Sequence, residues 1–393
     1  MSKLAATLMF VLSAAVIGIA QPAAAEPPPV AAFFKRPALK EPKLSPSGRY
    51  LAVLTLGRGE RTWLAVLDLD NLGTPKVVAS FANADVYGHQ WLNDERLVFH
   101  IGNSPDGSTR VVASGLWAVD RDGGNYRQLI QTDKPVLTNT GSHIADRRLE
   151  SNWKFHSLLP TGSDEVLVAR SPWSREPEST GVQLARLDTR TGALKNLSAG
   201  LPDRISRWVL DWQGEPKSVE SVVQGRSKTY LRAPDGSWKL WQDVDQFEER
   251  RQIPYWFGPD GQTLVMDTYR GFNALFRVEP TTLQREAQPV VRADGYSFQG
   301  SPIFDPAAQK LLGFHIETDA PGTVWLDPAM KALQADIDAK LPGSVNRIEC
   351  RRCLDAKHLI VTSISDQRPP VYLLYRPADR SLQLLAGARP DLT

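Results

Sequence analysis

Residues 45–54 read SPSGRYLAVL, which is a tight-turn pattern followed by a strand-like run. Pro46 and Gly48 supply the preset and the permissive backbone angles that such a turn needs. A second strand-like run, WLAVLDLD at 63–70, follows and ends on acids. The same unit returns as GPDGQTLVM at 258–266 and ALFRV at 274–278. A chain that repeats turn, strand, turn and strand builds one small sheet several times.

Seven such units follow one another, each with about four strand-like runs, and their starts lie roughly 40 to 50 residues apart. One four-stranded sheet cannot cover both of its faces, whereas sheets stacked around an axis cover each other. The sequence therefore predicts an all-β fold, a seven-bladed β-propeller of four-stranded antiparallel blades, over residues 43–387. Six or eight blades and a β-sandwich remain as alternatives. The predicted units begin near Lys43, Tyr87, Trp153, Ile205, Tyr255, Phe298 and Asn346.

Two segments interrupt this repeat. An insertion lies between Gln131 and Asn152, and residues 328–341 are the one stretch with helical character. Composition agrees with an all-β chain, because 11 Trp and 29 Pro in 393 residues suit short strands separated by breakers. The net charge of +2, without long runs of Lys or Arg, argues against nucleic acid as a partner.

The N-terminus has the pattern of a targeting segment. Lys3 is followed by an apolar run to Ala20, and three alanines precede Glu26. This pattern predicts a signal peptide over 1–25, cleaved on export, with a retained membrane anchor as the alternative. Residues 26–42 then form a Pro-rich lead-in. We expect the mature protein to be periplasmic or secreted, without stable membrane insertion, in an oxidising compartment.

Several stretches of the chain have a pattern familiar from one enzyme family. They are Pro46–Ala52, Trp91–Phe99, Asp319–Pro328, Leu341–Gly343 and Ser363–Tyr375. In these stretches the chain resembles the N-terminal propeller of the prolyl oligopeptidase family of serine peptidases, especially exported bacterial acylaminoacyl-peptidase and dipeptidyl-aminopeptidase-like members. The resemblance covers nearly the whole mature chain.

The resemblance implies a propeller that covers an active site and filters substrates by size. In that family a C-terminal α/β-hydrolase domain supplies the Ser, Asp and His that hydrolyse peptides through an acyl-enzyme. Residues 388–393 are expected to begin the linker to such a domain, which the given sequence does not contain. No residue of this chain is therefore predicted to be catalytic.

A search for chemistry within the chain supports this expectation. No Gly-x-Ser-x-Gly elbow occurs, and the nearest serine, Ser297, has the wrong spacing. The histidines are scattered singly, without metal-ligand spacing, so no metal or cofactor is predicted. His143 and His156 flank the insertion, together with Arg147 and Arg148, where a solvated loop competes with a partner-binding loop. The six histidines are His89, His100, His143, His156, His315 and His358.

Cys350 and Cys353 form the only Cys-x-x-Cys of the sequence. A zinc site needs further ligands nearby, and a thioredoxin-like site needs a βαβ setting. A local disulfide is predicted, with two free thiols as the alternative. Because residues three apart in a strand are too distant to bridge, the disulfide requires a turn at Arg351 and Arg352.

Two larger sets of residues are interpreted structurally. Acids at strand ends are expected to form turns, because Asp bonds its own backbone two residues on. They are Asp68, Asp70, Asp120, Asp122 and Asp188. Aromatic side chains of the fourth and fifth units are expected to pack between blades. They are Trp208, Trp212, Trp238, Trp241, Tyr255 and Trp256.

The favoured function is therefore a non-catalytic propeller that gates peptide substrates for a hydrolase domain. The alternative is a stand-alone, exported TolB-like propeller that binds a protein or peptide partner. A third class, a propeller enzyme with a central metal, has less support because no set of metal ligands is visible in the sequence. Carboxylates from distant blades could still form such a set.

Overall fold

The computed structural model describes residues 28–102, 114–131, 147–173, 181–247, 252–279 and 282–392. The chain divides into two compact units, residues 1–35 and 36–393. In the first unit the described part holds one short helix, α1 (Val30–Phe34). The predicted signal peptide lies outside the described residues. No helix in the described ranges is long and apolar enough to cross a membrane.

The second unit is a seven-bladed β-propeller, so the predicted fold class is confirmed. Blades one and two contain β1 (Leu39–Leu44), β2 (Tyr50–Leu56), β3 (Thr62–Asp68), β4 (Lys76–Ala79), β5 (Asp85–Trp91), β6 (Arg96–Gly102), β7 (Ser114–Asp120) and β8 (Arg127–Ile130). Blades three and four contain β9 (Trp153–Leu158), β10 (Glu165–Arg170), β11 (Gln183–Asp188), β12 (Leu194–Asn196), β13 (Ile205–Leu210), β14 (Pro216–Val223), β15 (Arg226–Arg232) and β16 (Trp238–Asp245).

Blades five to seven complete the propeller. Their strands are β17 (Ile253–Phe257), β18 (Thr263–Tyr269), β19 (Phe272–Val278), β20 (Gly300–Asp305), β21 (Lys310–Glu317), β22 (Pro321–Trp325), β23 (Val345–Glu349), β24 (Leu359–Ile364), β25 (Val371–Arg376) and β26 (Ser381–Gly387). Within every blade, consecutive strands pair antiparallel in sequence order. The first strand begins at Leu39, four residues before the predicted start, because Leu39 and Lys40 of the lead-in pair with β2.

Blades five and six differ from the prediction of four regular strands, since each has three in the described residues. In blade five, isolated bridges from Val291 and Arg285 to β19 take the place of an outer strand. In blade six, helix α2 (Pro328–Lys340) follows β22. Asp327 caps this helix by accepting a hydrogen bond from the Met330 amide, and Pro328 suits its first turn. The predicted helical stretch is thus confirmed.

The hydrophobic core lies between the blades rather than in one central layer. One buried cluster joins Leu54 and Leu64 of blade one to Trp91 and Phe99 of blade two. Similar clusters join blades two and three, three and four, and five and six, while α2 packs between blades six and seven. Each sheet therefore buries its two faces against its neighbours, as the repeat pattern predicted.

The ring closes by packing. Strands β1 and β26 belong to different sheets, and among the described residues one backbone hydrogen bond, from the Ala38 amide to the Ala388 carbonyl at 2.8 Å, joins the two ends. A buried cluster brings Leu51 and Val53 of blade one against Ile360 and Leu374 of blade seven. Apolar side chains therefore supply most of the contact that holds the first blade to the last.

Candidate functional site

The described histidines lie singly, on separate elements of the fold, as the sequence predicts. His89 is fully buried, and burial lowers its pKa to about 3, so that it is neutral at physiological pH. His100 contacts the Gly115 carbonyl and His315 contacts the Thr323 hydroxyl. Within the described residues, no group of three or more His, Cys, Asp or Glu is arranged to hold a metal. His143 lies outside the described residues.

The strand-end acids mostly form turns. Asp68 accepts a hydrogen bond from the Asp70 amide, and Asp122 accepts one from Gly124. Asp188 accepts two, from the backbone amides of the two residues that follow Thr189. Asp120 instead accepts from Arg96 at 2.7 Å. These carboxylates are therefore used by the scaffold.

The aromatic set also serves packing. The Trp208 indole donates to the Val182 carbonyl and joins the cluster between blades three and four. Trp212 and Trp256 both contact Phe304 of blade six with tilted rings. Tyr255 makes edge contacts with Phe298. Ser297 accepts the Asn273 amide and occupies no strand-to-helix elbow.

The outer strands of blades three, four and seven contain no buried residue, which places the first strands at the inner edge of each sheet. A propeller encloses a channel along these inner edges. A cavity of about 460 Å³ opens there, within the roughly 300–1,000 Å³ of small-ligand sites. We call it the central pocket. It is lined by Glu41, Pro42, Lys43, Leu44, Gln90, Trp91, Arg347, Glu349, Cys350, Arg351, Thr362, Ile364 and Tyr372.

Two inner strands are bulged where they border the central pocket. The register of β1 shifts between Lys40 and Lys43, and Glu41 there has a left-handed φ of 52°. The register of β5 shifts between Tyr87 and Gln90, at Gly88 with φ 58°. Bulges redirect side chains and are common next to functional sites. A non-glycine residue in the left-handed region is strained, so Glu41 is held in place by its surroundings.

Hydrogen bonds fix the wall between blades one and two. The Lys43 ammonium donates to the His89 carbonyl at 2.9 Å. The Trp91 indole donates to the Lys43 carbonyl, also at 2.9 Å. These bonds tie β1 to β5, so the lysine is presented from a rigid position.

The opposite wall comes from β23 and the loop after it. Arg347 and Glu349 form an ion pair, with Nε 3.2 Å from Oε1. Cys350 and Cys353 are joined by a disulfide, and their Cα atoms lie 5.1 Å apart. The chain bends at Arg351 and Arg352 between them, as the bridge requires. The disulfide therefore anchors the loop that carries Arg351.

Desolvation affects every charge of the central pocket that has a shifted pKa. Burial raises the pKa of Glu349, although Arg347 and Lys43 act in the opposite direction. Burial lowers the pKa of Lys43 against the attraction of Glu41 and Glu349. Burial also lowers the pKa of the Arg351 guanidinium. A bound group of opposite charge would offset the desolvation cost of these buried charges. Ligand sites contain such desolvated charges, whereas charges on solvated faces stay hydrated.

Sequence reasoning missed the charged residues of the central pocket. The available signal was the presence of charges in first strands, at LKEPKL (39–44) and VNRIE (345–349). The first strand of each blade borders the channel along one edge. A charged side chain on that edge is therefore not packed against the hydrophobic core. Without the ring closure, nothing in the sequence shows that these two strands share one cavity.

A second concavity, the outer groove, lies between blades three and four. It has a volume of about 680 Å³ and is open along the exposed edge strand β12. Its apolar lining includes Leu201, Pro202, Tyr230 and Trp238. Three charged residues also line it, namely Lys195, Glu215 and Arg232. Arg232 and Glu215 of this lining lie 3.9 Å apart as a long ion pair.

Comparison with known proteins now places the fold. No protein-family model and no curated protein matches the chain. A solved prolyl endopeptidase, studied for inter-domain dynamics in catalysis and specificity, superposes over 90% of this chain with a TM-score of 0.51 and 12% identity. A puromycin-hydrolysing peptidase from Mycobacterium tuberculosis superposes over 93% with a TM-score of 0.52 and 14% identity.

These matches define the class of protein: a seven-bladed propeller with the fold found in peptidases of the prolyl oligopeptidase type. The chain spans about half the length of those structures, 50% and 56% respectively. A TolB structure from Acinetobacter baumannii superposes over 65% of the chain with a TM-score of 0.33. The fold resemblance indicated by the sequence is confirmed.

Proposed function

We propose that this chain is a non-catalytic propeller that binds peptides in its central pocket and gates their access to a serine-hydrolase domain. The observation that carries the proposal is the central pocket itself. It joins a ligand-sized volume to charges of both signs and to apolar walls, at the inner edge of the ring. Peptides present all three features, namely charged termini, polar amides and apolar side chains.

The fold supports this proposal. Both superposed structures are peptidases about twice as long as the matched region. In this proposal the bond-breaking groups belong to a hydrolase domain outside the given sequence. The propeller selects the substrate, because a narrow channel admits an extended peptide and excludes a folded protein.

The test is a binding measurement on the purified propeller. Short unstructured peptides should bind with micromolar dissociation constants, whereas the same sequence within a folded domain should not. Thr362→Trp places an indole in the central pocket and should abolish binding. Thr161→Trp, at an exposed turn between β9 and β10, is the matched control and should leave affinity unchanged. Equal binding by both variants would show that the peptide does not bind in the central pocket.

A stand-alone propeller that binds a protein partner is the second candidate. The outer groove favours it, because Tyr230 and Trp238 lie beside the exposed edge strand β12. Aromatic side chains are enriched at protein interfaces, and exposed strands accept added strands. Binding of a folded partner that Trp238→Ala removes and Thr362→Trp does not would favour this candidate.

We also propose that the mature chain is exported. The charged and apolar pattern of the N-terminus supports this, as does the Cys350–Cys353 disulfide, which suits an oxidising compartment. Fractionation and N-terminal sequencing of the expressed protein test it. A mature N-terminus near Glu26 in the exported fraction is expected, whereas an intact Met1 in the cytoplasm would contradict it.

A further inference from the structure

The central pocket has an unequal charge balance. Its lining carries the cations Lys43, Arg347 and Arg351 but only two carboxylates, Glu41 and Glu349. The ion pair between Arg347 and Glu349 offsets one pair of charges. Glu41 lies in the same strand as Lys43 and attracts it. One positive charge remains, at Arg351.

Arg351 is distinct from the other enclosed arginines. Its guanidinium makes no hydrogen bond or salt bridge to a described residue and is attracted only at a distance by Glu349. A guanidinium offers five N–H donors in a planar fork that fits a carboxylate with two parallel bonds. A partly enclosed donor group without partners is costly, so a bound anion would gain from it.

The walls beside Arg351 limit what the anion is attached to. Leu44, Ile364 and the edge of Trp91 provide apolar surface in the same cavity. Gln90 and Tyr372 add neutral polar groups. A ligand that fits has one negative charge, amide groups and an apolar side chain close to that charge. The C-terminal residue of a peptide has this chemistry.

We infer that the central pocket recognises the free C-terminal carboxylate of a peptide, which Arg351 binds through its guanidinium while the neighbouring apolar wall receives the last side chain. Lys43, held by the His89 carbonyl and attracted by Glu41, lies in the same cavity but is not the group assigned to the carboxylate. This inference rests on the proposed peptide-binding function. It adds that the protein recognises the C-terminal end of the peptide.

The decisive experiment compares two ligands on the unaltered protein. The N-acetylated peptide Ala-Ala-Ala-Phe is titrated by calorimetry as the free acid and as the C-terminal carboxamide. The two differ only in the terminal group, which is an anionic carboxylate in one and a neutral amide in the other. The acid is expected to bind about tenfold or more tightly, since charge-assisted bonds to a guanidinium are lost in the amide.

Variants then locate the effect. Arg351→Gln should reduce binding of the acid to the level of the amide, and Arg351→Lys should retain part of the preference. Arg352→Gln is the matched control, because Arg352 is exposed, pairs with Asp355 and does not line the pocket. It should leave both affinities unchanged. Thermal unfolding of each variant confirms that it is folded.

The outcomes separate this inference from the proposed function. Equal binding of acid and amide would overturn the carboxylate inference and keep the peptide-binding function. Binding of neither peptide would overturn both. Inorganic phosphate that competes as strongly as the acid, and loses competition in Arg351→Gln, would show a general anion site and overturn peptide-terminus recognition. Loss of the preference in Arg352→Gln would place the charge effect elsewhere.

Discussion

Arg96 and Arg351 are two arginines in enclosed positions, and their surroundings are opposite. Arg96 is 1% exposed and joins blades two and three. It donates to the Thr189 hydroxyl at 2.8 Å, the Thr189 carbonyl at 2.9 Å and Asp120 at 2.7 Å. Arg351 borders the central pocket and has no such partner among the described residues.

The difference separates structural from binding charges in this fold. At the contact between blades two and three, the buried Arg96 guanidinium is matched by acceptors on all three of its nitrogens, because an unmatched buried charge costs folding free energy. At the central pocket, the N–H donors of Arg351 have no partner among the described residues, which costs folding free energy. This is typical of ligand-binding sites. Replacement of the arginine by methionine should therefore lower the free energy of unfolding strongly at the blade contact and hardly at all at the pocket.

The largest expected effect is at the blade contact. Arg96→Met should lower the free energy of unfolding by about 3 kcal/mol, because it leaves Asp120 and the Thr189 carbonyl without their buried partner. Urea denaturation followed by tryptophan fluorescence measures this. Arg49→Met, at an exposed pair with Asp68, is the control and should cost far less, because solvent screens an exposed pair. Equal losses would remove the distinction between buried and exposed pairs.

Loss of the disulfide should have the next largest effect. A Cys350→Ser, Cys353→Ser double variant should lower the free energy of unfolding by about 2 kcal/mol, as expected for a short closed loop. It should also weaken peptide binding several-fold, because the loop that carries Arg351 is released. Unaltered protein under reducing conditions should behave in the same way. A double variant with unchanged affinity would show that the disulfide does not position Arg351.

A smaller effect is expected from pH at Asp85. Burial alone would raise the pKa of this carboxyl, but the Thr62 amide and the guanidinium of Arg36 outweigh it and hold the pKa below its usual range. A carboxyl with a depressed pKa stabilises the fold above about pH 4 and loses that contribution as pH falls through the lowered value. Asp85→Asn should therefore flatten the decline of stability in acid.

Denaturation midpoints measured from about pH 6 down to about pH 2.5 test this expectation. The exposed acid Asp294, whose side chain is 84% exposed, provides the control, since Asp294→Asn should leave the slope unchanged. A wild-type slope in Asp85→Asn would show that other carboxylates cause the acid sensitivity.

The smallest expected effect is at the pocket. Arg351→Met should change the free energy of unfolding by no more than about 0.5 kcal/mol, because no hydrogen bond is broken and an unmatched charge is removed. The same denaturation assay applies. A loss as large as that of Arg96→Met would show that Arg351 supports the fold, and it would end the contrast on which the binding proposal rests.

The repeat architecture was accessible from local sequence. The turn at 45–48, its copy at 258–261 and the helix start at Asp327 and Pro328 depend on residues close together in the chain. Turn and cap preferences act over a few residues, so they can be recognised without the fold. The isolated bridges at the outer edge of blade five were not visible in the sequence, because they depend on contacts of a segment that has no strand-like pattern of its own.

The sequence by itself thus determined the period, the class of fold, the helix and the packing role of the tryptophans. Only the tertiary structure decided which charges share a cavity. Lys43 and Arg351 are about 300 residues apart in the sequence and meet at one pocket because the last blade packs against the first. Ring closure is a long-range event that no local preference encodes, and the candidate site is formed by it.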